Sequence, residues 1–194
     1  MIHNKAAASV GIAFAAAALA ACSHGGPVAS GPGTAPLGST DSSATPKSSK
    51  PALSTPPPRP APAAGTSLAA GEAFIAHYLD LLNHASATGD PAPFLAASDK
   101  GCLGCQGLAD YTRKVNVKNG AVKGDYKDKL IAVKEIYRGE SGRLGGSATI
   151  RSGIYEERLT PTASPVLQTS ADGTLEFTFS SSAGNWVMYE MQIT

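Results

Sequence analysis

The sequence lacks the marks of most well-defined activities. Its charge is nearly balanced, 16 Lys+Arg against 15 Asp+Glu for a formal net charge of +1, so no positive excess is available to hold a nucleic acid. No Gly-x-Ser-x-Gly segment occurs, and no Ser-His-Asp set is recognisable. The glycines of residues 139–146 come without the lysine of a phosphate-cradling loop. Only two histidines, His77 and His84, and one close cysteine pair follow residue 66, which is short of a metal-ligand set; no metal and no cofactor are expected. Glu156 and Glu157 are adjacent, so on a strand they point to opposite faces and cannot act as a carboxylate pair. The longest apolar run, residues 6–21, is alanine-rich and broken by Ser9 and Gly11, too weak and too short for a span of about 20 apolar residues.

What is present begins with three cysteines, Cys22, Cys102 and Cys105. Cys22 follows Leu19-Ala20-Ala21 directly, at the end of the apolar run that Lys5 precedes. A short basic start, an apolar segment and small residues before the cut describe a signal peptide over residues 1–21. The cysteine placed straight after Leu-Ala-Ala is similar to the lipobox of bacterial lipoproteins. That resemblance implies that Cys22 receives a diacylglyceryl thioether and, with fatty acids such as palmitate, becomes the lipidated first residue on the extracytoplasmic face of the membrane. The membrane, through this anchor, is then the first partner.

Residues 22–66 read as the anchor cysteine and a linker. They hold 10 of the 14 prolines, and their only large aliphatic side chains are Val28, Leu37 and Leu53. Such a segment buries too little apolar surface to offset its ordering entropy. As a flexible coil it would span roughly 35–40 Å, and as extended polyproline about 130 Å. It is expected to act as a spacer. Charge divides at its end: residues 1–66 carry 4 Lys+Arg and one Asp, whereas residues 67–194 carry 12 Lys+Arg and 14 Asp+Glu.

Periodic hydrophobicity starts at Ser67, a helix N-cap by type. Phe74, Tyr78, Leu81, Leu82 and Ala85 recur at helical spacing and predict a helix over residues 67–88 closed by Gly89. Asp90-Pro91 predicts a second, short helix to about Ser98. A third is expected over residues 105–119, with Leu108, Tyr111, Thr112 and Val115 inward. Strands are expected over residues 130–137, 147–150 and 154–156. Asp172-Gly173 reads as a turn, leading into a half-buried strand that alternates Leu175, Phe177 and Phe179 with polar residues. Ala183-Gly184-Asn185 turns into a last strand over residues 186–193. Helices followed by closely spaced strands predict an α+β domain, residues 67–194, with helices on a curved antiparallel sheet.

That element order is similar to the NTF2-like (SnoaL-like) cone. The run Phe74-Ile75-Ala76-His77-Tyr78-Leu79-Asp80-Leu81-Leu82-Asn83, then Ala87-Thr88-Gly89-Asp90, then Ser98-Asp99 through Cys102-Leu103-Gly104-Cys105, resembles a family of uncharacterised actinobacterial lipoproteins. The family resemblance implies no activity. The cone resemblance implies a ligand held between the first helix and the sheet.

Cys102-x-x-Cys105 admits three readings: a structural disulfide, favoured by an exported location; a redox dithiol at a helix start; or half of a metal site. The bridge is expected. His77 and His84 lie on one edge of the first helix and, with Tyr78 or Asp80, form the candidate pocket mouth. Against that stands the reading of both histidines as boundary residues of an amphipathic helix. Arg113, Lys114, Lys118, Lys123, Lys127 and Lys129 make a basic stretch, read either as a solvated face or as a contact for lipid headgroups or wall polymers. The expected function is a membrane-anchored envelope lipoprotein with a non-enzymatic binding domain, its partner an envelope protein or wall component. The alternative is a pocket domain acting as small-ligand carrier or enzyme.

Overall fold

The computed structural model describes residues 55–194. Cys22, the expected signal peptide and the linker up to residue 54 lie outside them. The elements run α1 (Leu68–Thr88), α2 (Ala92–Ala96), α3 (Leu103–Lys114), then β1 (Val122–Gly124), β2 (Lys129–Arg138), β3 (Leu144–Ser152), β4 (Tyr155–Glu157), β5 (Val166–Gln168), β6 (Ala171–Ser182) and β7 (Asn185–Ile193). Helices precede strands, an α+β order. The strands form two antiparallel sheets, one of four strands in the order β2-β3-β6-β7 and one of three in the order β1-β4-β5.

α1 starts and stops where local chemistry requires. Ser67 Oγ accepts from the Ala70 N–H at 3.0 Å, occupying one of the donors a helix start leaves free. Gly89 takes a left-handed φ of 73° and returns its N–H to Ala85 O, a conformation that carries no Cβ penalty for glycine. The inner stripe of α1, from Phe74 and Ile75 to Leu82 and Ala85, is fully buried. It meets Leu144, Ala148 and Ile150 of β3, Leu175, Phe177 and Phe179 of β6, and Trp186, Met188 and Met191 of β7. Phe74 meets Phe179 edge-on at 5.2 Å between ring centres, and Tyr78 lies 4.7 Å from Phe94. Gly71 lets α1 approach closely, since a Cβ there would press on Leu144.

The structure differs from expectation in several places. α3 ends at Lys114, five residues before the expected Asn119, because the next residues close a turn. Asn116 Nδ2 donates to Thr112 O and Arg113 O, and the Asn119 N–H donates to Asn116 Oδ1. The inner face of α3 is Cys105, Ala109 and Thr112; Tyr111 is exposed and Leu108 only half-buried. Asp172-Gly173 is not a turn. Both residues sit inside β6, opposite Arg151 and Ile150, and Asp172 is held there by an ion pair with Arg151 at 2.6 Å. β1 and β5 have three residues each, too few for alternation to announce them. Tyr189 falls at the register shift after Thr178. A bulged residue is free to turn away, and Tyr189 carries the Arg143 guanidinium 3.6 Å from its ring centre.

The expected domain boundary at residue 67 also moves. Residues 55–66, read as the end of the linker, form a strap packed on the domain around a single 3-10 turn, Ala61–Ala63. Ala63 is 0% exposed. Arg59 is the pin: its guanidinium donates to Ala63 O and Trp186 O, each at 3.1 Å, and lies 4.6 Å over the Phe74 ring. Gly65 N–H donates to Asn185 Oδ1, Arg138 to Thr66 O, and Trp186 Nε1 to Ser67 O. Replacing Arg59 by Ala removes two charge-assisted bonds and a cation–π contact, and is expected to lower stability by about 1–2 kcal/mol. Urea unfolding measures the loss, and amide exchange at Ala63 and Gly65 should speed up with it.

Candidate functional site

The Ser98-Asp99 to Cys105 block is a clasp between helices and sheet. Cys102 and Cys105 are disulfide-bonded, with Cα atoms 5.3 Å apart, and both are buried. Cys102 Sγ also caps α3, accepting from the Cys105 N–H at 3.2 Å. Ser98 pairs with Met188 of β7 as an isolated parallel bridge. Asp99 N–H donates to Met188 O at 2.7 Å, and Met188 N–H returns a bond to Ala97 O at 2.9 Å. Asp99 Oδ1 takes the Gly101 N–H, which shapes the turn into α3. Gly104 is required because a Cβ there would overlap the Met191 carbonyl oxygen of β7. With both sulfurs sealed from solvent, the pair is structural in this arrangement.

The four residues expected at a pocket mouth go to different places. Tyr78 points into the core, its hydroxyl 2.7 Å from Ser98 Oγ and 3.1 Å from Cys105 Sγ; burial pushes its pKa well up, so it stays a donor. His77 is 5% exposed and lies beside Phe74 under the strap, 6.3 Å between ring centres. Asp80 is exposed and His84 half-buried. Tyr78 and Asp80 lie roughly 160° apart around the helix, so the four do not share a common point.

A different set converges. Between the ends of α1 and α3 and the small sheet lies a cleft of about 90 Å³ lined by Tyr111, Tyr126, Asp128 and Tyr155 over Leu82 and Val115. Tyr111 donates to the Glu157 carboxylate, which also takes the Gln168 amide at 2.7 Å. Asn83 holds the Asp128 backbone from both sides at 2.9 Å. Burial raises the pKa of Asp128, and chiefly burial raises those of the three tyrosines. The hydroxyls therefore remain protonated at neutral pH and can offer hydrogen bonds, but none is activated as a base or nucleophile. Sequence reasoning missed this set because its three tyrosines are 15 and more residues apart, with no spacing to link them.

A trough of about 450 Å³ lies on the outer face of the large sheet, bordered by Glu135, Tyr137, Glu176 and Glu190. Glu135, Ser147, Glu176 and Gln192 follow one another across the four strands in a single row. Among the described residues no group of three or more His, Cys, Asp or Glu is placed to hold a metal ion.

A profile described as a family of unknown function, DUF6318, matches residues 43–192. The chain belongs to that family. The DUF6318 match begins well upstream of Ser67 and so includes the strap that Arg59 pins. No curated protein matches the chain. Among solved structures, this DUF6318 domain is similar to the intermembrane space region of the chloroplast protein ARC6, with a TM-score of 0.50 and 13% identity. The match covers 66% of this chain and 95% of that one; at this identity the likeness is one of fold.

Two outcomes follow for the DUF6318 domain. Replacing both Cys102 and Cys105 with Ser is expected to cost about 2 kcal/mol through loop closure alone, read as a lower urea midpoint, and the intact domain should weigh two hydrogens less than its dithiol. His77 has its pKa held below the ordinary 6.5, first by burial and then by Arg59, with Asp80 opposing. Its neutral form is thus favoured on folding. The contribution is complete above the unfolded value and declines as pH falls below it, until the folded value is passed. The urea midpoint should fall between pH 7 and pH 5, and His77→Gln should flatten that fall.

Proposed function

We propose that this chain is a lipid-anchored envelope protein, held through Cys22 on the extracytoplasmic face of the membrane, whose α+β domain binds a partner without covalent chemistry. The partner is an envelope protein or wall component. The observation that carries the binding half of this reading is the filled interior. Trp186, Tyr78, Phe74, Phe94 and Phe179 are among the largest fully buried side chains, and they occupy the space between α1 and the sheet where a ligand-holding cone would be hollow. The recesses of the surface are open or small, and a cleft of about 90 Å³ is well under the roughly 300–1,000 Å³ of ordinary small-molecule sites. The anchor half rests on the lipobox-like Leu19-Ala20-Ala21-Cys22 and the proline-rich stretch after it. No helix among the described residues is long and apolar enough to cross a membrane.

A second reading keeps the NTF2-like cone as a small-ligand carrier. The tyrosine cleft favours it, because Tyr111, Tyr126 and Tyr155 face one another where helices meet strands.

Replacing Cys22 with Ala separates location from fold. In a high-salt wash, which screens weak electrostatic contacts, the variant is expected to leave the membrane fraction and appear in soluble material with its unfolding midpoint unchanged. Retention in the membrane fraction at the level of the parent protein would contradict the anchor.

A further inference from the structure

One end of the domain gathers basic side chains around a cleft. The turn after α3 is locked to the end of α1 by the bond from Val117 N–H to Ser86 O at 2.9 Å, and Asn119 Nδ2 ties it to Lys114 O at 2.7 Å. Arg158 N–H donates to Ala121 O at 2.8 Å, which brings the loop between β4 and β5 alongside. The two loops enclose a shallow cleft of about 190 Å³ whose side chains include Lys114, Asn119, Arg158 and Thr160, and no carboxylate lines it. Lys118 sits on the same turn. Neither the Lys114 ammonium nor the Arg158 guanidinium has a hydrogen-bond or ion-pair partner among the described residues, whereas Arg113, Lys129 and Arg151 are paired with Asp110, Asp125 and Asp172. The dipole of α3 accounts for Lys114 at its C-terminus. It does not account for Lys118 and Arg158, which lie beyond the helix. Beside Arg158, Leu159 projects with 62% of its surface exposed, and Val166 on the adjoining strand with 52%. The acids Glu135, Glu176 and Glu190 collect on the outer face of the large sheet.

We propose that this end is a docking surface for the anionic phospholipid headgroups of a bilayer. Lys114 and Arg158 take phosphate oxygens, the guanidinium with its paired donors. Asn119 and Thr160 offer further hydrogen bonds. Leu159 enters the boundary between headgroups and acyl chains, the combination of basic and aliphatic side chains that interfacial segments use. Resting on the anchor reading above, the geometry allows the domain to reach. The strap enters at the start of α1 and the basic end adjoins its finish, a 21-residue helix apart, or about 31 Å. A polypeptide as long as residues 22–54 spans about 30 Å as a flexible coil and about 100 Å extended. Both distances allow the basic end to lie on the membrane that holds the anchor.

The test uses the mature chain, residues 22–194, carrying Cys22→Ser, so that no acyl chain contributes. It is sedimented with vesicles of 30% phosphatidylglycerol in phosphatidylcholine and with vesicles of phosphatidylcholine alone. The expected result is partitioning onto the anionic vesicles only, weakening as salt shortens the Debye length. Lys114→Glu with Arg158→Glu is expected to lower the partition coefficient at least tenfold, since each basic side chain at such a surface multiplies binding about fivefold. Leu159→Ser should lower it severalfold. The same charge change placed elsewhere, Lys100→Glu with Lys134→Glu, should lower it less than threefold. Equal losses in the two double variants, equal binding to neutral vesicles, or no binding to either would overturn the proposal. The anchor is absent from this assay, so such a result leaves the Cys22 reading standing, and the fractionation of Cys22→Ala decides that one separately.

Discussion

The architecture depends on the junction of Tyr78, Ser98 and the Cys102–Cys105 bridge. A helix laid on a sheet is held by apolar contact, which is strong but has no fixed register. Here the register is supplied by polar atoms sealed inside that contact. The Tyr78 hydroxyl on α1 reaches both Ser98 and Cys105, and the loop carrying Ser98 is bonded in both directions to the backbone of Met188. Three elements are thereby tied at one point. A buried hydroxyl without such partners would be costly, so shifting any of the three elements leaves an unmet donor. The bridge shortens the loop between the ties and fixes where α3 begins, and Gly104 lets that beginning lie against β7.

The start of α1 is fastened by a different device. Arg59 spans from the strap to the Trp186 carbonyl while lying on Phe74, and Trp186 answers with its indole N–H to Ser67. A long cation serves here because its stem and planar head are apolar enough to cover aromatic surface, while its donors satisfy carbonyls the strap would otherwise leave open. The upstream chain therefore leaves from a fastened edge, and a pull on it is carried by Arg59 and Trp186 before it reaches the core. For a protein read as tethered, that is where stability matters.

Much of the fold was legible. α1 with its Ser67 and Gly89 limits follows from capping chemistry and a long periodic stripe, both local. The alternation of Leu175, Phe177 and Phe179 marks β6 for the same reason, since one face is buried and one is wet. The misreadings have a common cause. Asp172-Gly173 has turn chemistry, but Arg151 across the strand compensates the aspartate and the glycine continues the ladder. Asn119 is a plausible helix end, but Asn116 offers an earlier one by bonding back to α3. In each case a residue distant in sequence or a competing side chain overrode a local preference.

The candidate sites divide along the same line. The cysteine pair is visible in the sequence, though its spacing fits three readings that the buried bridge decides between, and the helical stripe dictates that Tyr78 faces inward. By itself the sequence determined the helical layer, the strands long enough to alternate, and the cysteine pair, because each is written within a few residues. Only the tertiary structure decided that residues 55–66 belong to the domain, that three tyrosines meet at one cleft, and that Lys114 and Arg158 share another cleft that no carboxylate lines. Those facts depend on chain segments that meet only after folding, and the side chains involved carry no periodic signal of their own.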